Sequence, residues 1–227
     1  MGKANKQRKI SHSDNYIYLL VALMLLFFIS AVAAELGLEI LLRLMAVSLT
    51  VIVLVAVWSL ERNRFPMSSR VFVTLLFVLV EGAEFFFGHF NLGTLQLTSI
   101  MIFTVGTIVV AARQVLLTGA VDVNKIIGSI CIFLLLGLAW GEAYLLVERL
   151  FPGSIPALSG DNWRDHVGDA LYFSYVTLTT LGYGDIGPVR PLARYLAYMQ
   201  AVVGQFYIAI VVASLIGAKM SDGTRNT

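Results

Sequence analysis

Charge is scarce in this sequence. Asp, Glu, Lys and Arg make up 13% of the 227 residues, while 58% are hydrophobic. A soluble domain carries about 25% charged residues, so this chain has too little polar material to cover a water-facing surface. With a mean hydropathy of +0.83, the composition is that of a membrane protein. Cysteine is nearly missing. Cys131 stands alone in an apolar run, which excludes an intrachain disulfide. The three histidines, His12, His89 and His166, are scattered and form no metal-ligand cluster. A net charge of +2 is too small to point to a nucleic-acid partner. No H-E-x-x-H, G-x-S-x-G or Cys/His cluster occurs, and the acids within apolar runs form no evident catalytic pair. An enzyme is therefore not expected.

Long apolar runs are what the chain has instead. A spanning helix needs about 20 apolar residues. Six stretches qualify: 16–34, 40–60, 71–88, 95–117, 126–147 and 192–217. The first follows a basic start, Lys3, Lys6, Arg8 and Lys9, as a signal peptide would. Its apolar run is longer than the roughly 7–15 residues of a cleaved signal, so it reads as a retained helix. Arg62, Arg64 and Arg70 lie in the loop 61–70, and Arg113 and Lys125 at the next inside turn. The loops 35–39 and 88–94 carry neither Lys nor Arg. Positive residues stay inside, so both termini are expected in the cytoplasm and the region 148–191 outside. This predicts a multi-pass protein of the cell (plasma or inner) membrane, with a cytoplasmic tail over 1–15 and a four-helix transmembrane domain over 16–118.

The outer region contains "TTLGYGDIGP", Thr179 to Pro188. Its glycines at 182, 184 and 187 spell G-x-G-x-x-G, the fingerprint of a dinucleotide-binding turn. That reading needs a strand before, a helix after and an acid about 20 residues on. Here Pro188 and Pro191 follow the glycines, and no acid occurs from Ile186 to Met220. A different structure needs such glycines. Residues alternating between left- and right-handed conformations aim successive carbonyls the same way, and glycine adopts the left-handed one freely. Irregular backbone at membrane depth must be buried in protein or line an aqueous path. A short apolar helix, a Gly-rich extended run and a return to the outside describe a re-entrant loop whose carbonyls can replace a cation's water shell.

"TTLGYGD" resembles the potassium-channel signature, usually T-V-G-Y-G. The likeness continues in register. "ALYFSYVTLTTLGYGDIGP" (170–188) is similar to a pore helix plus filter, and "RYLAYMQAVVGQFYIAIVVASLIG" (194–217) to the inner helix that follows. The resemblance implies an all-α membrane protein of six transmembrane helices, with a re-entrant pore helix and selectivity-filter loop between the fifth and sixth. It implies a pore domain over 122–218 and a short cytoplasmic tail over 219–227. Thr180, Leu181, Gly182, Tyr183 and Gly184 would form the filter, with K+ at Thr180, Leu181, Gly182 and Tyr183. Asp185, Tyr172, Phe173, Val176 and Thr179 would support it, and Gly204 stands where the family often has an inner-helix hinge. One chain holds one filter motif, so a homotetramer is expected. No cofactor is expected, K+ being the permeant ion, and membrane lipid is the surrounding partner.

The chain departs from the family pattern in places. Leu181 replaces Val or Ile and is not β-branched, so its χ1 is freer. Tyr172 and Phe173 replace two tryptophans. Tyr172 can donate to Asp185, but Phe173 has no donor for Tyr183. Val176 stands where some members place a carboxylate. These changes imply a less rigidly braced filter. The fourth span carries one arginine, Arg113, and not the series of a voltage sensor. The tail after Gly217 is too short to fold as a ligand-binding domain. Opening is left to the filter, lipid or tension, pH or a partner.

Charges inside spans are functional candidates. Arg43, four residues after Glu39, together with Glu81 and Glu84, reads as a bridge packing the second and third spans, or as a proton- or cation-sensitive site. Glu142 either hydrogen-bonds the loop behind the filter or reaches the outer interface. Trp163 reads as an interfacial anchor. The function expected is a potassium-selective channel without voltage gating. The alternatives are a weakly selective cation channel and a non-conducting sensor or scaffold with a channel fold.

Overall fold

A computed structural model describes residues 15–36, 93–116, 123–160 and 162–225. Among the described residues the chain is helical and has no β-strand. The helices are α1 (Asn15–Glu35), α2 (Gly93–Leu116), α3 (Val123–Leu150), α4 (Val167–Leu178) and α5 (Pro191–Arg225). Two 3₁₀ turns, Pro156–Leu158 and Trp163–His166, connect α3 to α4. Helices α1, α2, α3 and α5 coincide with the first, fourth, fifth and sixth apolar runs. The second and third runs, with Arg43, Glu81 and Glu84, lie outside the described residues.

The apolar stretches Gly93–Val115 and Asn124–Leu150 are long and apolar enough to cross a membrane, at 23 and 27 residues. At 1.5 Å per residue they exceed the roughly 30 Å hydrocarbon core. Helix α1 buries Tyr16, Leu19, Leu23 and Leu26 and exposes Tyr18, Met24, Leu25 and Phe28. The buried set recurs at three- and four-residue steps, one stripe of a helix. That stripe packs with Ala111 and Val115 of α2 and with Cys131, Ile132, Leu135 and Leu138 of α3. The Tyr16 hydroxyl donates to Gln114 at 3.1 Å, which ties α1 to the C-terminal end of α2.

A second core lies at the other end of α3. Leu97, Tyr144, Leu145, Ile155, Leu158, Trp163, Phe173 and Ala193 are buried together there. Trp163 is a correction to the sequence reading. Its indole is buried in this core, 8% exposed, and is not an interfacial anchor. The 3₁₀ turn it opens is capped by Asn162, whose side chain accepts from the Arg164 N–H at 3.2 Å. The indole lies in this core with its Nε1 buried and without a hydrogen-bond partner among the described residues.

Helix α4 sits against α3 because two glycines make room. Gly137 and Gly141 are four residues apart, on one face of α3. A Cβ at Gly137 would run into the Tyr175 ring, and one at Gly141 would lie 3.0 Å from Leu171. Small residues at this spacing let helices approach closely inside a membrane. Hydrogen bonds lock the approach: Tyr175 donates to the Leu134 carbonyl and Ser174 to the Gly137 carbonyl, both at 2.6 Å.

Candidate functional site

Helix α4 ends in a Schellman turn, and the loop starts there. The Leu181 N–H donates to the Val176 carbonyl at 2.9 Å and the Thr180 N–H to the Thr177 carbonyl at 3.0 Å. This pattern needs a left-handed residue just past the helix, usually Gly. Thr180 fills that place with φ 59°. A non-glycine residue costs about 1–2 kcal/mol in that conformation, so the two hydrogen bonds must hold it. The left-handed residues then recur at every second position: Thr180 at 59°, Gly182 at 62° and Gly184 at 81°. Leu181 and Tyr183 between them do not have positive φ. Alternation of hand keeps successive carbonyls aimed to one side of the chain. The run is exposed in a single chain, Leu181 at 57% and Tyr183 at 69%.

The flanking residues fall around this run. Tyr172 donates to Asp185 at 2.7 Å, and its ring stacks on Tyr183 with centroids 6.5 Å apart and planes 7° apart. The Tyr172 hydrogen bond holds the Asp185 carboxyl below the usual carboxylate range. The same bond pushes the Tyr172 hydroxyl up to about 12. Phe173 points inward and meets the Tyr144 ring at 4.7 Å. Val176 is buried, and its carbonyl accepts from both Leu181 and Gly182. Thr179 turns its hydroxyl back onto the Tyr175 carbonyl at 2.7 Å.

Behind α4 lies a polar network that the sequence reading did not contain. The Tyr144 hydroxyl donates to Gln200 Oε1 at 2.5 Å. Gln200 Nε2 donates to the Ser174 carbonyl at 3.0 Å and hydroxyl at 2.8 Å. Tyr144, Ser174 and Gln200 are fully buried, so α3, α4 and α5 are pinned at one depth. The available signal was polar residues inside apolar runs, which need partners when buried. Gly204, the hinge candidate, has a packing role in this structure. Helix α5 runs unbroken through it, and a Cβ there would collide with the Leu178 carbonyl. The structure supplies a packing reason for this glycine, the seating of α5 against the end of α4.

Glu142 meets neither expected neighbour. Its Oε1 accepts from the Thr104 hydroxyl of α2 at 2.8 Å, and its Oε2 is buried with no hydrogen-bond partner among the described residues. One residue on from Gly141, the Glu142 side chain reaches Thr104 of α2. The acid that organises the outer loop is Glu148. It accepts from the Gly153 and Ile155 N–H groups, both at 2.7 Å, and from Ser159 at 2.6 Å. Arg149 and Arg164 reach α2, donating to Thr94 and Gln96, both at 3.0 Å. Among the described residues no His, Cys, Asp and Glu gather as a metal site. A cation at this loop would find backbone carbonyls and a threonine hydroxyl.

Residues 130–219, from within α3 into α5, match the family described as ion channel. This segment is similar to an ion-channel family and to parts of curated potassium channels. Over 85 residues it is 34% identical to two pore potassium channel c of Oryza sativa subsp. japonica, covering 37% of this chain and 18% of that one. Over 93 residues it is 36% identical to the inward rectifier potassium channel Kirbac3.1 of Paramagnetospirillum magnetotacticum, covering 41% and 26%. Two-pore potassium channel 5 of Arabidopsis thaliana is 38% identical over 78 residues, covering 32% and 19%. The matches thus span about a fifth to a quarter of these relatives' length. No solved structure matches the chain. The matched segment contains all of α4, the loop 179–190 and most of α5.

Proposed function

We propose that the protein is a potassium-selective channel that conducts K+ passively across the cell membrane. Four copies surround one axis, each contributing a six-span subunit with both termini in the cytoplasm. Carbonyls from Thr180 to Tyr183 replace the water shell of K+, and Gly184 completes the outer mouth. The observation that carries this reading is the left-handed alternation at Thr180, Gly182 and Gly184, within a loop that matches the ion-channel family. One such loop supplies a quarter of an ion cage, which is why the assembly is tetrameric. The negative end of the α4 dipole lies at the foot of the loop and favours a cation there. With Arg113 the one charged residue of α2, voltage is not the gating stimulus.

The test is ion flux from liposomes holding the purified protein, under K+ or Na+ gradients, beside Gly182→Ala. Among the described residues no atom obstructs a Cβ at Gly182, but its φ of 62° strains any side chain. K+ flux without Na+ flux, abolished by the substitution, is the expected result. Equal flux of both ions would replace the reading with a weakly selective cation channel. Phe173 gives that alternative its footing, since its ring packs on Tyr144 and leaves Tyr183 to Tyr172 alone. Silence under both gradients would favour a non-conducting sensor.

A further inference from the structure

Gln205 of α5 donates from Nε2 to the Thr180 hydroxyl at 3.2 Å. The two adjacent threonines behave differently. Thr179 bonds back into its own helix, a common habit of helical threonine. Thr180 has left the helix at φ 59°, and its hydroxyl meets Gln205 instead. Gly204 makes the approach possible, because its missing side chain brings α5 against the Leu178 carbonyl. Gln205 lies one residue and about 100° further round the helix. Both Gln205 and Thr180 are exposed in the single chain. Among the described residues, Gln205 Oε1 accepts no hydrogen bond.

A threonine hydroxyl has one proton and two lone pairs. With one lone pair engaged by the Gln205 amide, the other has a set direction. We infer that Gln205 is a positioning and specificity residue for the innermost cation site. Its N–H group orients the Thr180 hydroxyl as a ligand. Its amide oxygen, repeated in each copy, forms a ring of neutral acceptors for a cation approaching from the cytoplasmic side. The inference rests on the channel reading above. It assigns Gln205 a task that a packing residue would not have, because both polar ends of its amide act at the ion path.

The probe is Ba2+, an oxygen-seeking divalent cation close to K+ in size, applied to the full chain in planar bilayers carrying K+ current. Gln205→Leu keeps the bulk and removes both amide groups. Block by Ba2+ from the cytoplasmic side is expected to weaken about fivefold, the size of one lost hydrogen bond. Gln205→Glu places carboxylates at the same ring and is expected to tighten that block. Block from the outer side is expected to stay within twofold of wild type in both, on the order of measurement error in such energies. Opposite signs for Leu and Glu separate a role at the ion from damage to packing, which would move both the same way. Should the Leu variant carry no current, the Glu variant decides. No K+ current in the wild type overturns the channel reading and this inference with it. K+ current with block unmoved, or weakened in both variants, overturns this inference alone.

Discussion

Gln200 Nε2 donates to both oxygens that Ser174 offers, its carbonyl at 3.0 Å and its hydroxyl at 2.8 Å. One amide of α5 therefore holds the middle of α4, and Tyr144 holds that amide from α3. Replacing Gln200 with Leu strands the Tyr144 hydroxyl in a dry core and removes the donor to Ser174, whose own hydroxyl still donates to the Gly137 carbonyl. Hydrogen bonds between membrane helices are worth about 0.6–2 kcal/mol each. Thermal melting of the detergent-purified protein is expected to drop for Gln200→Leu. It should recover in part when Tyr144→Phe is added, because the orphaned hydroxyl is then gone. Additive losses would show that the three residues do not act as a unit.

Gly204 distinguishes packing from hinging. Gly204→Ala forces a methyl group into the Leu178 carbonyl, and overpacking of this kind costs about 1–3 kcal/mol. The variant is expected to melt early and lose assembly on size exclusion. A variant that assembles and melts normally but stays closed in bilayers would point to a hinge instead.

The Tyr172–Asp185 contact sets a pH window. Asp185 has its carboxyl held below the ordinary value of 3.8, so its contribution is complete above that value and is lost as pH falls through the lower, folded one. The Tyr172 hydroxyl keeps its proton until about 12. Between these limits K+ flux is expected to be insensitive to titration of this pair. Tyr172→Phe removes the donor and keeps the ring stack on Tyr183, so it should return the Asp185 carboxyl toward its ordinary range. Sustained K+ current is expected to decay faster in that variant. Current that is sustained as in the wild type would remove the hydrogen bond from the account of filter support.

Glu142 and Thr104 form a polar pair between α3 and α2, 2.8 Å apart. Gln at position 142 retains an oxygen for the Thr104 hydroxyl and removes the ionisable group. Melting of Glu142→Gln is expected to stay within about 1 kcal/mol of wild type, whereas Glu142→Leu strands Thr104 and should cost more. If channel activity depends on pH through this site, Glu142→Gln abolishes that dependence. An unchanged pH response takes Glu142 out of gating.

Some of this molecule is legible along the chain because the signal is local. An unbroken apolar run without proline becomes a helix wherever it lies, as α1, α2, α3 and α5 do. The spacing of Gly182 and Gly184 announces a left-handed alternation because glycine alone tolerates it freely. Thr180 needed the structure, since a threonine in that conformation is held by hydrogen bonds from α4. The Tyr172–Asp185 bond was foreseeable from the motif, both partners lying in the same short loop-and-helix unit.

The sequence by itself determined a helical membrane protein with one glycine-patterned loop, because hydropathy and backbone freedom belong to each residue. Tertiary structure decided which faces meet. A helix that is apolar all round has no marked side, so its neighbours cannot be read from its period. The decisive partners are far apart in the chain: Glu142 and Thr104 by 38 residues, Gln200 and Tyr144 by 56, Gln200 and Ser174 by 26. Burial turned Trp163 into core, Gly204 into a packing contact and Gln200 into a clamp. Each follows from the close packing of helices, which sets the neighbours of every buried side chain.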